Sequence, residues 1–196
     1  MLFLYFEQLF SSLSNYEKNV VEYIKKGDFQ KTKEYAKSAV DVLEKSEGLF
    51  AISIDLEEKY YFFMSMLAVS NHKLGNSLVA EQLLLLIINK QNSSAQRSVL
   101  PLIESMSYLG NVYLDQKKYV PAESIFIELL EEIEEKKTQK IDPYFNRVLR
   151  YIETIHNTWN LTSQDFPKIP NGEFRRSKIK RWLEEARQDP SFKLIR

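Results

Sequence analysis

Met106-Ser107-Tyr108-Leu109-Gly110-Asn111-Val112-Tyr113-Leu114 runs through Asp115-Gln116-Lys117-Lys118 into Tyr119-Val120-Pro121-Ala122-Glu123-Ser124-Ile125-Phe126, with Leu129 one turn on. Apolar residues recur at helical spacing on both sides of a short polar turn, the pattern of two helices joined by a reversal. Gly110 and Ala122 fall where the two helices of such a hairpin approach most closely, and a large side chain there would push them apart. Tyr113 and Phe126 are placed to fill the space around that contact.

Two earlier segments share the design. One runs from Tyr16 and Tyr23 through Gly27-Asp28-Phe29 to Ala36 and Ala39; the other has Met64, Leu67-Ala68, Gly75-Asn76, Ala80 and Leu84. Gly27 and Gly75 stand where a helix ends and the chain reverses, a position that calls for left-handed backbone angles. Aligned on the turns, Gly75 lies 48 residues after Gly27, and Lys117 lies 42 after Gly75. A single hairpin leaves one face uncovered, and stacking on the next buries it.

These residues resemble the tetratricopeptide family over about residues 14–136. The third copy carries the likeness best, with Leu109-Gly110, Tyr113, Tyr119, Ala122 and Phe126 at the family's intervals. The first departs at Asn19, where leucine is usual, and at Thr32, where alanine is usual; the second has Asn71 in place of tyrosine. Both steps exceed the family's usual spacing of about 34 residues. The resemblance implies an all-α fold, a right-handed superhelical stack of about three hairpins with flanking N- and C-terminal helices.

The periodicity predicts helices over 2–12, 15–26, 29–46, 54–74, 77–91, 95–116 and 119–137. Asp142-Pro143 starts another, to about 158, with Phe145, Val148, Leu149, Ile152, Ile155 and Trp159 on one stripe. Pro167, Pro170 and Gly172 then interrupt the chain before a last helix over 174–187. The expected division is a repeat domain over 1–158 and a basic tail over 159–196. The tail holds 9 basic and 5 acidic residues against 18 and 22 in the body, although the whole chain of 196 residues is balanced at 27 of each. That balance argues against a general nucleic-acid binder.

The scarcity of Gly (5) and Pro (6) favours long helices, and the lack of cysteine excludes disulfides, thiolate zinc sites and cysteine nucleophiles. The glycines are isolated, so no phosphate loop is present. His72 and His156 are the only imidazoles. Glu153-Thr154-Ile155-His156 has the spacing of half a di-iron site but no second motif. The run Glu128, Glu131, Glu132, Glu134 and Glu135 reads as a solvated helix face. The apolar N-terminus lacks the basic flank of a signal peptide and is too short to span a bilayer; Leu2, Phe6, Leu9, Phe10 and Leu13 share one face of a packed helix. The expectation is no enzyme, no metal and no cofactor, in an intracellular, cytoplasmic setting.

In the family, the first helix of each hairpin lines a concave surface that takes a protein or peptide. The resemblance places Glu17, Val21 and Ile24 there, with Ser65, Val69, His72 and Lys73 from the second hairpin, and Glu104, Ser107, Asn111 and Leu114 from the third. Glu17 and Val21 stand where chaperone-binding members place a carboxylate clamp, which argues against that ligand and favours an internal segment or partner helix. In the tail, Phe174, Ile179, Trp182, Leu183 and Ala186 form a stripe that caps the repeats or docks another protein. Arg175, Arg176, Lys178, Lys180 and Arg181 would meet phosphates if the tail touched nucleic acid or an anionic membrane. The leading expectation is a non-catalytic scaffold or adaptor. Rap-type peptide-sensing regulators are a similar alternative, and a homo-oligomer is compatible with either.

Overall fold

The computed structural model describes residues 2–94, 98–136, 147–152, 154–155 and 172–188. All regular structure among them is helical, so the fold is all-α. The order is α1 (Leu2–Lys25), α2 (Phe29–Glu44), a 3₁₀ turn (Glu47–Ile52), α3 (Ile54–Lys73), α4 (Ser77–Ser93), α5 (Val99–Asp115) and α6 (Tyr119–Lys136). Residues 147–152 (α7) and α8 (Gly172–Gln188) follow. The chain divides into two compact units, Met1–Val112 and Tyr113–Arg196.

The turns after α1, α3 and α5 are built alike. Asp28 N donates to Tyr23 O (3.0 Å) and Gly27 N to Ile24 O (3.1 Å); Asn76 N donates to Asn71 O (2.8 Å) and Gly75 N to His72 O (2.9 Å). Lys118 N donates to Tyr113 O (2.8 Å) and Lys117 N to Leu114 O (2.9 Å). Each is the paired 6→1 and 5→2 arrangement that satisfies the last carbonyls of a helix. It needs one left-handed residue, supplied at φ 71° by Gly27, 85° by Gly75 and 59° by Lys117. Asp28 then starts α2, its Oδ1 accepting from Lys31 N at 3.0 Å.

In the first unit α2 packs on α1 and α3, and α3 on α4. The interior holds Leu9, Leu13 and Val20 from α1, Val40 and Leu43 from α2, and Leu56, Phe63 and Met64 from α3, with Leu84 and Ile87 of α4 and Leu102 and Ile103 of α5. Ala36, Ala39, Ala68 and Ala80 are fully buried, as their small size at close helix approaches demands. In the second unit, Ala122, Phe126, Leu129, Leu130 and Ile133 of α6 are buried, as are Val148, Leu149, Ile152 and Ile155. The Phe126 and Tyr151 rings stack at 5.1 Å. On α8, Ile179, Trp182 and Ala186 are buried.

Two features correct the sequence reading. The expected break between helices 2–12 and 15–26 is absent, and α1 is continuous. Ser11-Ser12-Leu13-Ser14-Asn15 contains no residue that stops a helix, Leu9 and Leu13 keep one buried line, and Asn19 Nδ2 bonds back to Asn15 O at 2.7 Å. The 3₁₀ turn Glu47–Ile52 was not expected; it seats Phe50 against Tyr60, ring centroids 5.4 Å apart. The start of the helix at Asp142-Pro143, Phe145, Trp159 and the proline-containing stretch lie outside the described residues, as does the expected boundary at 158/159. Among the described residues no helix is long and apolar enough to cross a membrane.

Candidate functional site

A cleft of about 350 Å³ opens in the first unit, and α1, α3 and α5 all contribute to it. Its apolar lining is Phe10, Phe62, Leu100 and Pro101; its charged lining is Glu17, Asp55, Glu58, Lys59 and Glu104. Pro101 fits in the first turn of α5, where a helix leaves backbone donors unpaired in any case. On α3, Asp55, Lys59 and Phe62 share one face because they are spaced by four and then three residues.

Among the described lining residues four are acidic and one, Lys59, is basic. Lys59 Nζ is taken by Glu17, which ties α3 to α1. Glu58 Oε1 accepts from Ser98 Oγ at 2.7 Å. Asp55 and Glu58 are exposed and Glu104 is half-buried, so the described lining residues contribute a mainly acidic field. Partly desolvated walls strengthen such a field relative to bulk water. A second, shallower depression of about 530 Å³ runs beside α1, lined by Ser14, Glu17, Lys18, Val21, Glu22 and Lys25. Glu17 borders both.

The expected groove residues are distributed unevenly. Glu17 and Glu104 line the cleft and Val21 lines the depression. Ile24 and Val69 are half-buried, and Lys73 is exposed. Ser65 and Ser107 are interior, and Ser65 Oγ meets Ser105 Oγ across α3 and α5 at 3.3 Å. The Asn111 amide donates to Ser107 O of its own helix (3.0 Å), and His72 Nδ1 contacts Ser77 Oγ (2.9 Å). Leu114 belongs to the second unit. The sequence reading missed Phe10, Asp55, Glu58, Lys59, Phe62, Leu100 and Pro101. The available signal was heptad spacing on α3: Asp55, Phe62 and Val69 form one stripe, of which only the far end was considered.

The basic tail meets the acidic run of α6. Lys178 Nζ lies 3.0 Å from Glu134 and 3.6 Å from Glu131, and Arg181 lies 3.3 Å from Glu134. Trp182 Nε1 reaches Glu134 Oε1 at 3.4 Å, with Lys178 over the Trp182 ring at 4.8 Å. The acidic run is therefore solvated only in part. Lys180 pairs loosely with Glu184 (3.9 Å). The side chains of Phe174, Arg175, Arg176 and Leu183, together with Glu153 and His156, lie outside the described residues. Among the described residues no group of three or more His, Asp or Glu is placed to hold a metal ion. Comparison with protein-family models and with curated proteins returns no match.

Proposed function

We propose that this chain is a non-catalytic binding module of tetratricopeptide-like, right-handed superhelical build that captures a segment of another protein along α1, α3 and α5. The observation that carries the reading is the cleft to which all three helices contribute, lined by both apolar side chains and carboxylates. The three equivalent turns support a repeat origin for these hairpins. An apolar lining with several like charges around it suits a segment that alternates apolar residues with Lys or Arg. A phosphate-binding tail receives less support, because Lys178 and Arg181 already meet glutamates.

The test uses two labelled synthetic peptides, one alternating leucine with arginine and one alternating leucine with glutamate, followed by fluorescence anisotropy. The arginine peptide binds the full chain, weakens as salt is raised, and loses at least about tenfold affinity on Phe62→Ala with Glu104→Gln. If both peptides bind equally, or the double variant binds as the parent does, the cleft is not the site.

A further inference from the structure

α4 carries an apolar face left open to solvent. Leu78 is 67% exposed, Val79 43%, Leu85 37% and Leu86 45%. At roughly 3.6 residues per turn these four fall with the exposed Gln82 on one stripe, about 12 Å long. The helix has two charged residues, Glu81 and Lys90, and neither lies within the stripe. Both are half-buried at its margins, with Lys90 turned towards Glu47 (3.6 Å) and the Tyr60 ring (5.3 Å). Exposed Asn89 and Ser93 prolong the stripe without adding charge. A contiguous apolar, charge-free face of this kind marks an interaction surface.

The order of residues points to the occupant. Leu78 and Leu86 lie four positions either side of Gln82, and Val79 and Leu85 lie three either side. A second α4 laid antiparallel across a twofold axis at Gln82 sets Val79 beside Leu86 on one flank of the seam and Leu78 beside Leu85 on the other, each twice over. Gln82 meets its own counterpart, where two amides both donate and accept. Glu81 comes level with Leu83, and Lys90 falls beyond the first residue of the facing α4, Ser77, so no like charges oppose one another along the paired helices. Self-complementarity of one patch is what a twofold contact requires. We propose that the chain self-associates through an isologous, antiparallel α4–α4 contact centred on Gln82. One two-turn seam covers less than the roughly 1,600 Å² of a standard interface, so the dimer is weak, with a Kd of about micromolar or above.

Because the chain has no cysteine, a single introduced thiol reports the axis directly. Helix axes about 8–10 Å apart bring facing residues within disulfide range. Full-length Gln82→Cys, under mild oxidation at about 100 µM, forms a covalent dimer about tenfold faster than Ser38→Cys, an exposed control on α2, because the effective concentration within a pair is millimolar. Adding Leu85→Glu returns the rate to that of the control while the far-UV circular dichroism is retained. Sedimentation velocity of the parent chain shows mass rising with concentration, and Gln82→Lys abolishes the rise. Equal rates for the two cysteine variants, a fast rate that survives Leu85→Glu, or a parent that stays monomeric each overturn the proposal. Peptide binding in the cleft is unaffected by these substitutions, so the two readings fail independently.

Discussion

Gly75 sits at φ 85°, and a Cβ added there meets no heavy atom within 4 Å. Gly75→Ala therefore isolates the backbone cost of the left-handed turn from any clash. An L-residue in this region costs roughly 1–2 kcal/mol. The alanine returns roughly 0.4–1 kcal/mol by restricting the unfolded chain. The expected net loss is about 1 kcal/mol. Lys117 provides the reverse experiment, since it holds φ 59° with a side chain attached. Lys117→Gly relieves the strain but frees the unfolded chain, so the same two terms reversed give a gain of about 1 kcal/mol. Urea unfolding of the full chain, followed by far-UV circular dichroism, measures both. Hydrogen exchange at the Asn76 and Lys118 amides, which donate across the two turns, localises the effect. A neutral Gly75→Ala, or a Lys117→Gly variant that loses as much, refutes the assignment of these positions as equivalent turns.

Three further outcomes follow from the packing. Burial raises the Glu134 carboxyl, but hydrogen bonds from Lys178 and Trp182 and the charges of Lys178 and Arg181 outweigh it and hold it below the usual 4.5. Since the folded value lies below the unfolded one, this stabilisation is present above the unfolded value and is lost as pH falls through the folded one. Glu134→Gln should flatten that acid limb in denaturation midpoints measured against pH and lower stability at neutral pH by about 1 kcal/mol. Trp182→Ala should cost about 3–5 kcal/mol and expose the partner face of α6, read by dye binding and unfolding. Asp28→Ala removes the cap of α2 and should cost about 1 kcal/mol in the same unfolding assay.

The helical hairpins were legible because glycine at a reversal and alanine at a close approach are each required by local geometry. Gly27, Gly75, Ala36, Ala68 and Ala80 carry that information without reference to distant residues. The continuity of α1 was less legible, since a serine-rich stretch reads as a break until Leu13 is seen to be buried. The cleft was harder still. Phe10, Phe62 and Leu100 look like core residues, and only the three-dimensional arrangement leaves them lining a cavity beside Asp55 and Glu58. Ser65 presented the opposite problem, because a small hydroxyl suits a groove and a tight interior equally well. The meeting of Lys178 with Glu134 spans too many residues for periodicity to signal it.

The three helix reversals have a consequence for how this sequence can change. Their defining hydrogen bonds run from main-chain nitrogen to main-chain oxygen, and at each turn only one residue must take a positive φ. Lys117 occupies the place that glycine fills in the other two. Substitutions at the remaining turn positions that keep these main-chain donors therefore leave the turn's hydrogen bonds in place, and drift can erase the recognisable motif while the reversal persists. A protein built this way can lose its likeness to relatives in sequence long before it loses the architecture.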